Sequence, residues 1–160
     1  EQQLNVKTFG GLRDIPGLTI MADNIEDRLS IISFYFEDIH YNLVVKLLND
    51  RFGIQARGGC SCAGTYGHYL LHVDKYTSKR ITDKIDEGDL STMPGWVRLS
   101  LHPTTTDEEV EYIVESLRQI KRHVKAWEQD YVYDPRTNEF THKDGWRQLQ
   151  QTVEGWFASE

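Results

Sequence analysis

The chain has too few cysteines, too few basic residues and too short hydrophobic runs for three broad classes of protein. Only two cysteines occur in 160 residues. They stand one residue apart, as Cys60 and Cys62, a spacing that would strain a disulfide. A scaffold framed by disulfides is excluded, and the pair reads as thiols in a reducing compartment, with the cytoplasm as the expected location. Lys and Arg total 18 against 25 Asp and Glu, a formal charge of −7. That balance argues against nucleic acid and other polyphosphate partners. No apolar run reaches the ~18 residues that span a bilayer, and no basic segment followed by a hydrophobic one opens the chain, so no membrane association is expected. Internal repeats and low-complexity segments are also lacking. Because the first residue is Glu1 and not methionine, a preceding segment is expected.

What is present is the pattern of one mixed domain. Its length suffices for a core that buries roughly 70% of the surface of the unfolded chain. Leu4 to Leu12 reads as the end of a helix broken at Gly10-Gly11, and Pro16-Gly17 as a turn into a strand from Leu18 to Ala22. Ile31 to Phe36 is rich in β-branched and aromatic residues and reads as a second strand, antiparallel to the first. Asp38 suits the N-cap of a helix carrying Leu43, Val44, Leu47, Leu48 and Phe52 on one face, and Gly53 suits its stop. A short strand from Ile54 to Arg57 follows. The polar stretch from Tyr76 to Gly95 has a weak helical signal near Ile81 and Ile85 and reads as an insertion or mobile loop. Pro94-Gly95 then turns the chain into a strand from Trp96 to Leu101.

The strongest helix signal is at Thr106-Asp107-Glu108-Glu109, a capping box with three acids at the positive end of the helix dipole. Val110, Ile113, Val114, Leu117, Ile120, Val124 and Trp127 continue it at a 3.6-residue period. The order β-β-α-β-loop-β-α predicts an α/β chain of the two-layer α+β kind, a small, mostly antiparallel sheet with helices packed on one face. The domain is expected to occupy residues 1–128. Residues 129–160 form a C-terminal extension, in which aromatic residues are scattered among charges.

Chemistry concentrates in the stretch from Gly53 to Gly64 and in Val97-Arg98-Leu99-Ser100-Leu101. Arg57 and Arg98 fall at the ends of strands, beside a glycine-rich loop that holds both thiols. A planar guanidinium makes two parallel charge-assisted bonds to a carboxylate, so the pair suits a small anionic substrate. Cys62 is a candidate nucleophile if positive charge nearby, such as that of Arg57, lowers the thiol pKa. The same segment also allows a free-standing binding or zinc-bearing domain, because Cys60, Cys62, His68 and His72 have spacings that suit a tetrahedral site.

Arg57-Gly58-Gly59-Cys60-Ser61-Cys62-Ala63, Val97-Arg98-Leu99-Ser100 and Thr105-Thr106-Asp107-Glu108-Glu109, in that order, resemble the small C-terminal domain of class V aminotransferases. That group includes cysteine desulfurases and selenocysteine lyases. The resemblance runs from about Pro16 to Trp127 and implies fold type I architecture. It also implies Arg98 on the α-carboxylate of an amino-acid substrate, Arg57 in support, and Cys62 at the position of the desulfurase thiol. Cys60-Ser61-Cys62 replaces the His-His-Cys common in desulfurases, so aminotransferase and desulfurase or lyase chemistry both stay open. The implied cofactor is pyridoxal phosphate, held by a lysine in a large N-terminal domain that this chain lacks. The chain alone is therefore expected to bind no cofactor and to be inactive, with that domain and a second copy as partners. Thr141-His142-Lys143 has the look of a Schiff-base motif, but it lies beyond the last helix and is assigned no role.

Overall fold

A computed structural model describes residues 2–25, 27–59, 69, 71 and 73–145. Helix α1 (Gln2–Arg13) leads through a turn into β1 (Leu18–Ile20) and β2 (Ile31–Phe36). Helix α2 (Tyr41–Phe52) and β3 (Arg57–Gly59) follow, then α3 (Lys75–Asp86), β4 (Trp96–Ser100) and α4 (Asp107–Trp127). A hairpin of β5 (Tyr131–Asp134) and β6 (Glu139–His142) completes the described chain.

The first four strands form one antiparallel sheet in the order β1-β2-β4-β3. Side chains alternate across its two faces, as the pleat requires. Ile32, Phe34 and Phe36 of β2, with Val97 and Leu99 of β4, point into the core. Helices α1, α2 and α4 supply the other layer through Phe9, Leu12, Val44, Leu47, Leu48, Leu117 and Ile120, all with no exposed surface. Each such side chain contributes roughly 1.5–3 kcal/mol by burial. This is the expected two-layer α+β architecture. The alternate positions, among them Ile31, Ser33, Tyr35 and Arg98, lie on the opposite face of the sheet.

Several local expectations are met. Thr106 caps α4, its hydroxyl accepting from the Glu109 N–H while the Glu109 carboxylate accepts from the Thr106 N–H. Gly53 ends α2 in the left-handed region at φ 66°, where a glycine is least strained.

Other expectations are corrected. Helix α1 runs straight through Gly10 and Gly11 instead of breaking there. A Cβ on Gly11 would lie 2.8 Å from Val114 Cγ2, so the glycine lets α1 and α4 approach closely. The N-cap of α2 is His40, whose Nδ1 accepts from the Asn42 N–H at 3.2 Å. Asp38 instead accepts from Lys121 Nζ of α4 at 2.6 Å. The stretch from Tyr76 to Gly95 is not all loop. It contains most of α3, which is capped by Asp74 accepting from the Tyr76 and Thr77 N–H groups. The short third strand is Arg57–Gly59 and not Ile54 to Arg57.

Candidate functional site: an arginine rung on the sheet

Strands β3 and β4 pair in a register that sets Arg57 opposite Arg98, Gly58 opposite Val97 and Gly59 opposite Trp96. Directly opposed residues project from the same face, with Cβ atoms about 5 Å apart. Val97 points into the core, so both arginines project from the other face. Strand β2 pairs on the far side of β4 and sets Ser33 opposite Arg98. The result is a three-residue rung of Arg57, Arg98 and Ser33 on the face opposite α1, α2 and α4.

Two like charges directly opposed are unfavourable unless something negative lies between them. Among the described residues, no carboxylate pairs with either arginine. Arg98 is half-buried, and its Nε–H is shielded from solvent without an acceptor. An orphaned donor of this kind costs about 1–3 kcal/mol, which a carboxylate arriving from outside would recover. Arg57 is exposed, so it is free to swing toward an incoming anion. Trp96 has the same strand parity as Arg98 and is only 6% exposed, yet it lies outside the main core cluster. The rung is therefore flanked by an indole and a hydroxyl.

The sequence singled out both arginines, and the sheet brings them together. Ser33 and Trp96 were missed. A lone serine inside the apolar run Ile31 to Phe36 was a usable signal, but only strand order places it beside Arg98. Cys60, Cys62, His68 and His72 lie outside the described residues. Among the described residues, no group of His, Cys, Asp and Glu is arranged to hold a metal ion.

A separate cavity of about 560 Å³ lies on the helix side of β3. It is lined by Tyr41, Asn42, Gly58 and Met93 together with Asn138 and Phe140 of the hairpin region, and neither arginine reaches it. Near it, the His40 ring stacks on Tyr41 at 4.6 Å and meets Tyr133 and Phe140 at 5.3 Å. Burial among these rings lowers the His40 pKa below its ordinary value, with the Asn138 side chain opposing in part. Lys143 Nζ donates to the Gln129 carbonyl. No helix among the described residues is long and apolar enough to cross a membrane.

The sequence matches the family model for class V aminotransferases over residues 1–113. No curated protein matches. Among solved structures, a cysteine desulfurase, CsdA (S-sulfonic acid form), from Escherichia coli is similar at a TM-score of 0.47 and 18% identity. That alignment covers 77% of this chain and 24% of the desulfurase chain, so this chain spans about a quarter of that enzyme.

Proposed function

Because this chain belongs to the class V aminotransferase family, we propose that it is the substrate-gripping domain of a pyridoxal phosphate enzyme acting on an amino acid. The observation that carries the reading is the rung of Arg57 and Arg98, two guanidinium groups on one face of the sheet that no carboxylate among the described residues meets. Arg98 takes the α-carboxylate of the substrate in a bidentate grip, and its Nε–H gains the acceptor it lacks. Arg57 adds long-range attraction and a second set of donors. Ser33 offers a hydroxyl beside them, and the Trp96 indole limits water around the grip. Cys62 is proposed as the thiol that serves the reaction if the chemistry is removal of sulfur or selenium, and as a bystander if it is transamination.

The described residues do not fit pyridoxal phosphate itself. Lys143, in the one lysine motif of the right kind, is held by the Gln129 carbonyl. Lys121 is held by Asp38, and Lys7 by Asp107 and Glu111. We assign the cofactor to a companion domain, and this chain's part is confined to the carboxylate end of the substrate. Association of two copies belongs to the same proposal, since exposed Ile25, Leu29 and Ile31 supply apolar surface at the β1–β2 connection.

The test uses the longest natural protein that carries this chain. Its visible absorbance from bound pyridoxal phosphate is followed as an amino acid is added. We expect a saturable spectral change whose half-saturation rises at least about tenfold in Arg98→Lys, because an ammonium cannot reproduce the fork. Absence of the cofactor band, or equal half-saturation in both proteins, overturns the reading.

A further inference from the structure

The hairpin β5–β6 lies beyond the residues that match the family model, yet it is tied to the back of the arginine rung. The tie begins at Tyr41, the first residue of α2, which is 7% exposed. A Cβ on Gly95, just before β4, would lie 2.5 Å from Tyr41 Cε1 and Cζ. A Cβ on Gly58, in the middle of β3, would lie 2.7 Å from Asn42 Oδ1 and 3.3 Å from Tyr41 Cδ2. The phenol ring is thus seated against the bare backbones of both strands, and those strands carry Arg57 and Arg98. Only glycine permits such an approach.

The far end of that ring is held by the hairpin. Asn138 Nδ2 donates to the Tyr41 hydroxyl at 2.7 Å, and Asn138 Oδ1 accepts from the Tyr133 hydroxyl at 2.8 Å. The Asn138 backbone carbonyl accepts from Asn42 Nδ2 at 2.5 Å. Asn138 is 7% exposed and sits at φ 59°, a left-handed conformation that asparagine tolerates better than most residues. Three residues earlier in the same turn region, the Pro135 carbonyl accepts from the Leu90 N–H at 2.8 Å and anchors the segment that leads into Gly95 and β4. The bond between Asn138 and Tyr41 is buried and those to Tyr133 and Asn42 are partly buried, and such a connected network favours one arrangement.

We infer that Asn138 is a positioning residue for the Arg57–Arg98 rung, acting through Tyr41 on the backbones at Gly58 and Gly95. This rests on the rung being the carboxylate grip. Two guanidinium groups act on one small anion only while the separation of their strands is held to a fraction of an ångström. Strand β3 has just three residues and lies at the sheet edge, so its ladder with β4 is short. The ring of Tyr41 braces that ladder from behind, and the hairpin fixes the ring.

The experiment measures the dissociation constant of L-alanine for the 160-residue chain by NMR titration, well below its melting temperature. L-alaninamide, which lacks the carboxylate, is the control ligand. Asn138→Gly keeps the left-handed backbone and deletes the side chain that bonds to Tyr41 and Tyr133. Tyr41→Phe keeps the ring and deletes only the hydroxyl. We expect each to weaken L-alanine binding by roughly fivefold to tenfold while leaving the α4 resonances in place. Asn138→Asp keeps the acceptor for the Tyr133 hydroxyl and can accept from the Tyr41 hydroxyl once that group turns its proton, so it is expected to weaken binding less than Asn138→Gly. Binding unchanged in both deletion variants, with only thermal stability lowered, overturns the inference and leaves the grip standing. Failure of the parent chain to prefer L-alanine over its amide would instead sink the grip. Should Asn138→Gly fail to fold, Tyr41→Phe reads the same link.

Discussion

Arg57 and Arg98 face each other across the β3–β4 ladder, on the face of the sheet opposite α1, α2 and α4. Among the described residues neither is met by a carboxylate, and the Arg98 Nε–H is buried without an acceptor. A folded chain has little reason to keep such a pair for its own stability. Opposed like charges weaken a ladder, and an orphaned donor weakens it further. The cost is recovered when an anion binds, which is the link between this geometry and the proposed activity.

Arg57→Gln should therefore raise the intrinsic stability of the chain by roughly 0.5 kcal/mol at low ionic strength. The same change should reduce the stabilisation that added L-alanine gives. Urea unfolding with and without the amino acid measures both effects. A variant less stable than the parent in the absence of ligand would contradict the account of the rung as strained by like charge.

Stability should fall between pH 7.5 and 5.5 because of His40. Burial holds its folded-state pKa below the ordinary value near 6.5. As pH drops through about 6.5 the unfolded chain takes up a proton that the folded chain refuses, and stability declines until the folded imidazole also titrates. Protonation would in addition remove Nδ1 as the acceptor for the Asn42 N–H and set a cation at the positive end of α2. We expect a measurable loss over this interval, and little loss in His40→Asn, which keeps an N-cap acceptor. Denaturant midpoints at the two pH values decide it, and equal acid sensitivity in both proteins would rule His40 out as the cause.

Gly11→Ala sets helix propensity against packing. Alanine is the better helix former by about 1 kcal/mol, but its methyl would stand 2.8 Å from Val114 Cγ2. Overpacking of this kind costs about 1–3 kcal/mol, so the substitution should be net destabilising. In a Val114→Ala background the obstruction is gone and Gly11→Ala should stabilise. Additive effects in this double-mutant cycle would show that the two helices do not meet as described.

The parts of the fold that were legible in the sequence are those set by local chemistry. Thr106 to Glu109 announced α4 because a capping box satisfies helix donors with neighbouring side chains. Ile31 to Phe36 announced β2, whose alternate residues Ile32, Phe34 and Phe36 are buried. Gly10-Gly11 misled because packing of α1 on α4 outweighs the intrinsic cost of glycine in a helix. Asp38 is as good a cap by type as His40, but its carboxylate is taken by Lys121, a residue 83 positions away. The same limit applies to the site. Arg57 and Arg98 stood out singly, whereas their register, the flanking Ser33 and the brace from Asn138 depend on strand order and on contacts between distant segments. Such contacts leave no periodic trace in a single chain.

The central claim is that the arginine rung binds the carboxylate of an amino acid, and the side-chain Nε–H resonances of Arg57 and Arg98 report on it directly. Titration with L-alanine should move the Arg98 Nε–H resonance saturably and downfield as it gains an acceptor, with a smaller shift at Arg57, and L-alaninamide should move neither. Unmoved resonances, or equal shifts with acid and amide, would contradict the account.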